Sequence, residues 1–224
     1  MRTPRAAALA GILFGVLLST ALILVRLSVP DSPNDAGAWV ADGSKRRSVL
    51  FALNLLPFAG IAFLWFIGVV RARIGAAEDR LFSTVFLGSG LLFVAMLFVA
   101  GAISGGLVLA PGEQTVDEVW PYGRRVAFSL ISVYSMRMAA VFTISTTTIA
   151  TRLHLAPRWL SVWGFATGLF LMFTIGVLPW IELVFPVWVL VFSLHILVVS
   201  FRTGPADADP DARPDAGATP APAT

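Results

Sequence analysis

Long apolar runs separated by short polar segments dominate this chain. A bilayer hydrocarbon core of about 30 Å is crossed by about 20 apolar residues in a helix. On that rule the pattern predicts spans over residues 6–27, 48–70, 81–109, 126–150, 161–179 and 183–201. In hydrocarbon the backbone amides must bond within their own segment, so runs of this length read as helices. The expected fold is all-α, a polytopic transmembrane helix bundle with about six spans. The third run is longer than a crossing needs, which implies tilt or an emergent amphipathic end.

Two stretches need a decision. Only Trp180, Ile181 and Glu182 separate the fifth and sixth runs, with Pro179 and Pro186 bracketing the turn. A tight hairpin is expected, with a re-entrant pair as the alternative. The first run opens with Arg2 and Arg5, as a signal peptide would, but continues past Val25. Signal h-regions hold about 7–15 residues, so the run reads as an uncleaved span.

Composition agrees with lipid as the solvent. Of 224 residues 57% are hydrophobic and 13% charged, with mean hydropathy +0.84. Soluble domains run nearer 45–50% apolar and about 25% charged. The formal charge of +3 and pI near 10.2 do not indicate nucleic acid, because the basic residues stand singly or in small groups between apolar runs. The expected partner is the lipid bilayer. With no cysteine, disulfides, thiol catalysis and Cys-based metal sites are excluded. The two histidines lack metal-ligand spacing, so no metal and no cofactor are expected.

Basic residues set the orientation. With the N-terminus inside, Arg2, Arg5, Arg71, Arg73, Arg80, Arg152, Arg158, Arg202 and Arg213 are cytoplasmic, against Lys45, Arg46, Arg47, Arg124 and Arg125 outside. The positive-inside rule therefore favours N-in/C-in. Trp39, Trp120 and Trp180 then fall at outer boundaries, and Trp159 and Trp163 at an inner one. Residues 1–202 form the bundle. The Ala-, Pro- and Asp-rich segment 203–224 is expected to be a disordered cytoplasmic tail.

The second span, from Asn54-Leu-Leu-Pro57-Phe58 through Trp65 to Arg71, resembles a group of uncharacterised integral membrane proteins of high-GC Gram-positive bacteria. Glu78-Asp79-Arg80, the segment 85–93, Arg137-Met138 and the segment 143–148 extend the likeness over residues 48–201. The resemblance implies a multi-pass protein of the bacterial inner membrane. It brings no activity and no residue roles.

Candidate chemistry centres on Arg137, a cation within the fourth span. At 100° per residue Tyr134, Arg137, Val141, Ser145, Thr148 and Arg152 share one helix face, a polar stripe running from midspan to the cytoplasm. An arginine at mid-membrane costs about 2.5–3.5 kcal/mol on insertion scales, so it must meet protein or water. No acidic residue lies inside a predicted span. The expected partners are Asn54, His195, which is placed midway along the sixth span, and the Leu53 carbonyl, which Pro57 deprives of its helical donor. The stripe is either a solute, anion or lipid site or a packing device.

Small residues form seams of a second kind. Ala7, Gly11, Gly15 and Ser19 recur every four residues, and Gly101 with Gly105 and Gly164 with Gly168 repeat the spacing. Such seams let helix backbones approach in lipid, either within one bundle or with a membrane-protein partner or homodimer. Ser104, with His195 as base, is the only hint of an intramembrane hydrolase. The acidic loop residues Glu113, Asp117 and Glu118 match no calcium loop. Three functions follow: a non-enzymatic scaffold or partner subunit, a small-solute, anion or lipid permease, and an intramembrane hydrolase. The first is favoured.

Overall fold

The computed structural model describes residues 3–29, 39, 42–74, 80–109, 119–153, 156–174 and 180–202. The tail 203–224, the loop acids Glu113, Asp117 and Glu118, and His154 lie outside the described residues. Six rods account for the structure: α1 (Thr3–Ser28), α2 (Gly43–Ile74), α3 (Arg80–Leu109), α4 (Val119–Arg152), α5 (Arg158–Phe173) and α6 (Val184–Arg202). A single 3-10 turn, Ile181–Leu183, leads into α6. Within α4 the ladder widens into a π-helical turn over Leu130–Ser135.

Five of the rods are long and apolar enough to cross a membrane, with mean hydropathy between 1.5 and 2.6 over their most apolar stretch. At most 44% of each such stretch is buried inside the bundle. Leu9, Leu13 and Val16 on α1 and Phe51, Phe58 and Trp65 on α2 point outward. Exposed apolar faces of this extent are untenable in water and natural in lipid. The protein is a multi-pass membrane protein.

Side-chain pairs fix the path. Phe14 of α1 meets Phe63 of α2 at 4.4 Å, Gly101 of α3 faces Leu56 of α2, and Phe86 of α3 stacks on Phe142 of α4 at 4.8 Å. Gly164 and Gly168 of α5 face Thr147 and Ile144 of α4, and Gly11 and Gly15 of α1 face Ser193 and Leu190 of α6. Each helix is thus antiparallel to the one before it, and α6 returns to lie antiparallel to α1. The start of α1 and the last turn of α6 meet at one end of the bundle, where the Arg5 guanidinium sits 4.8 Å over the Phe201 ring. We call this the terminal end and the other the distal end.

The fifth crossing differs from the expectation over residues 161–179. Helix α5 stops at Phe173, Thr174 is extended with ψ 118°, and residues 175–179 lie outside the described residues. Its 16 residues reach about 24 Å, short of the hydrocarbon core. The chain nevertheless passes from Thr151, bonded to Ser161 at the terminal end, to Glu182, which borders the same groove as Arg26 of α1. The α5–α6 pair therefore reaches from the terminal end to the level of that groove.

At the centre five helices contribute one aromatic hub. Phe63 lies within 6.2 Å of Phe14, Phe66, Phe93, Phe142 and Phe185, ring centre to ring centre. Edge-to-face and tilted geometries dominate, as ring quadrupoles prefer. The start of α2 carries an ordinary side-chain cap. Asp42 accepts bonds from the Ser44 N–H (2.9 Å) and hydroxyl (2.7 Å) at the start of α2. The Ser44 hydroxyl, then its N–H, hold the Asp42 carboxyl below its ordinary value of 3.8. This cap is complete above that value and is lost as pH falls through the lowered one.

Candidate functional site: a distal cleft

The two halves of the bundle are built differently. Gly15 of α1 packs beside Pro186 of α6, and α1 then continues about 20 Å further to Ser28, whereas α6 begins only two residues away at Val184. Gly168 of α5 packs beside Ala140 of α4, and α4 extends about 30 Å beyond that level to Val119. Among the described residues, six helices therefore surround the terminal half and four the distal half. Helix α1 packs on α2 and α6, α4 packs on α3 and α5, and the distal parts of α1 and α4 stand apart.

A cleft of about 1040 Å³, counting its mouth, opens among α1, α2, α3 and α4. Leu56, Leu97 and Ile131 form its floor. From Ile131 to Arg124 at the rim is about 10 Å along α4. Trp39, Trp120, Arg26 and Arg124 line the upper part, with Ser104 on the wall. The two indoles meet edge to face at 5.9 Å, are 5% and 7% exposed, and neither Nε1–H has a hydrogen-bond partner among the described residues. Both arginines are half-buried. Among the described residues no carboxylate lines this cleft. Charge and shape together suit a molecule with an apolar body and an anionic end.

A second groove of about 500 Å³, its open side included, continues from the first between α1 and α4, sharing Leu22, Val25, Arg26, Phe128 and Ile131. Its far lip is Trp180, Glu182 and Leu183. Sequence placed Glu182 in an outer loop; the structure places it deep. The Ser132 hydroxyl donates to Glu182 Oε1 at 2.7 Å, and Ser132 lies about 20 Å along α4 from Val119. Glu182 thus stands below the distal ends of α1 and α4, at the start of the apolar span that runs through α6. Ser132 lies within the π turn over Leu130–Ser135. Trp180 beside it has φ 70°, a left-handed conformation that costs a non-glycine residue about 1–3 kcal/mol.

The stripe around Arg137 takes another form. Arg137 Nη1 donates to the Val133 carbonyl at 3.3 Å, one turn back at the π turn. None of the expected partners is used among the described residues. The Asn54 amide donates to the Leu50 carbonyl at 2.8 Å, and His195 packs edge-on against Trp159 at 6.2 Å. Trp159 is in the first turn of α5, so His195 lies toward the terminal end and not at midspan. Tyr134 is exposed and Ser145 buried, so the stripe faces two environments, since the π turn breaks the 100° register. Thr143, Thr146, Thr147, Thr148 and Thr151 each donate to the carbonyl four residues back at 2.7–2.8 Å. That is how α4 carries so many hydroxyls in lipid: they are satisfied by their own helix.

The hydrolase pair does not assemble. The Ser104 hydroxyl donates to the Ala100 carbonyl at 2.8 Å in the distal cleft, while His195 is at the terminal end. The glycine seams face inward to different degrees. A Cβ on Gly11 would overlap the Ser193 hydroxyl, one on Gly15 would stand 2.9 Å from Leu190 Cβ, and one on Gly164 would overlap Thr147. On Gly168 it would meet Ile144 at 2.5 Å and on Gly101 Leu56 at 2.9 Å, but on Gly105 only Leu53 at 3.9 Å.

No family model, curated protein or solved structure matches this chain. Function therefore rests on the geometry. Arg26 and Arg124 were legible only as flanking charges, because nothing in a linear pattern shows that the ends of α1 and α4 face one cleft.

Proposed function

We propose that the chain is a non-enzymatic protein of the bacterial cell membrane, oriented N-in/C-in, that binds an amphiphile in its distal cleft. The cleft carries this reading: an apolar floor about 10 Å below two arginines and two buried tryptophans. Gly11, Gly15, Gly164 and Gly168 are occupied by contacts within the chain, so these seams do not by themselves favour a partner subunit over the amphiphile reading. The hydrolase reading lacks a nucleophile beside a base. Orientation rests on the distribution of Lys and Arg, and the bacterial membrane on the resemblance. In this frame the distal cleft lies in the outer leaflet.

The test is saturable binding of dansyl-undecanoate, a fluorescent carboxylate amphiphile, to the purified full chain. Ser104→Phe fills the cleft and breaks only a bond to its own helix. It should weaken binding about tenfold or more, equivalent to about 1.4 kcal/mol. Arg137→Leu, which loses one bond to Val133, should bind normally. Unchanged affinity in Ser104→Phe would remove the cleft from consideration. Independently, a phosphatase reporter inserted at Gly112 should be active and one fused after Phe201 inactive. The opposite pattern would reverse the orientation and move the cleft to the inner leaflet.

A further inference from the structure

We infer that the cleft takes a phospholipid with an anionic head, admitted sideways from the bilayer between α1 and α4; this rests on the amphiphile reading above. Three features of the distal half lead there. The first is the gap itself. Because α5 and α6 stop short, the groove between α1 and α4 joins the cleft through Leu22, Val25, Phe128 and Ile131, and those side chains offer acyl chains a continuous apolar path. A water-soluble anion would gain nothing from such a path, whereas a lipid already in the leaflet slides along it without leaving hydrocarbon.

The second feature is the arrangement of charge. Arg26 borders both groove and cleft, and Arg124 stands on the cleft rim. A guanidinium offers five N–H donors in a planar fork, so each can engage a phosphate alongside another partner. Glu182 occupies the opposite lip of the groove, held by Ser132. That lip is the acidic side of the groove, and Arg26 with Arg124 forms the basic side, which suits an anionic head. The third feature is the unpartnered indole N–H of Trp39 and of Trp120, both buried and both belonging to side chains that line the cleft. Tryptophan is suited to this level, with its ring in hydrocarbon and its N–H toward headgroups.

The chain has no cysteine, so one introduced thiol reports from one place. Phe128 borders both cavities and is half exposed, which makes Phe128→Cys labelled with bimane a reporter of the groove. The labelled full chain is placed in vesicles containing phosphatidylglycerol or phosphatidylcholine with brominated acyl chains, which quench bimane on contact. Phosphatidylglycerol should reach half-maximal quenching at a mole fraction lower by about tenfold or more, the scale for two basic groups acting on one anionic lipid. Arg26→Gln with Arg124→Gln should bring the two lipids together while quenching itself persists. Soluble glycerol phosphate at matching concentration should leave the quenching intact.

The outcomes separate the two claims. Equal quenching by both lipids in the parent chain would overturn the anionic-head inference while leaving the amphiphile reading in place. Quenching no stronger than that of bimane on Leu9→Cys, a lipid-facing control on α1, would overturn both. Displacement by glycerol phosphate would assign the site to a water-soluble anion and overturn the lipid. Should the double arginine variant fail to fold, the comparison of the two lipids in the parent chain still decides.

Discussion

Phe63→Ala should lower the stability of the folded bundle by about 2–3 kcal/mol, while Trp65→Ala, two residues along the same helix, should change it by less than about 0.5 kcal/mol. Phe63 is fully buried and touches aromatic rings from α1, α2, α3, α4 and α6. Truncating a buried phenylalanine in a water-soluble core costs about 3–5 kcal/mol, part for transfer from water and part for the cavity left behind. In a bilayer the separated helices keep their side chains in hydrocarbon, so most of the transfer part vanishes and the cavity part stays. Hence a figure below that of a soluble core. Trp65 projects into lipid with 71% of its surface exposed and fills no hole in the bundle. Equilibrium unfolding in mixed micelles with increasing dodecyl sulfate measures both. A loss under about 1 kcal/mol for Phe63→Ala would mean that the hub does not hold the five helices together.

The hub was invisible in the sequence for the same reason. In water, burial is legible because apolar residues avoid the surface. In lipid both faces of a helix are apolar, and phenylalanine serves on either: Phe63 and Phe66 point inward while Phe51 and Phe58 of the same helix point out. What remained legible was length and count, since crossing hydrocarbon demands a continuous apolar run whatever its faces do. The helical rods follow the expected spans closely, except where Thr174 turns extended and α5 ends at Phe173. That early stop opens the distal half and carries Glu182 inward, and neither consequence has a local signature. The polar stripe failed for a different reason. It assumed a regular 100° step, but Tyr134 lies within the π turn over Leu130–Ser135 and so leaves the register that the stripe keeps from Arg137 onward.

The glycine seams make the second large prediction, because sequence presents three similar pairs and structure tells them apart. Gly11→Leu should destabilise the bundle by about 3 kcal/mol or more, at or above the upper end of overpacking effects. A side chain there meets the Ser193 hydroxyl and the Phe66 ring at once, 2.9 Å from Phe66 Cδ2. The Ser193 hydroxyl is itself buried and has no hydrogen-bond partner, so it is already confined against α1. The α1–α6 pair can admit a leucine only by separating, and that separation pulls Phe185 from Phe14, now 5.9 Å apart, and loosens the hub. Gly105→Leu should be tolerated to within about 0.5 kcal/mol, since its nearest neighbour would be Leu53 at an ordinary 3.9 Å. The same unfolding titration, combined with light scattering of the detergent-purified chain, separates packing within the bundle from packing between copies. If Gly11 belonged to a dimer seam, its leucine variant would run at half the parent mass with its stability unchanged. Unfolding at constant mass is the result that the antiparallel contact of α1 with α6 requires.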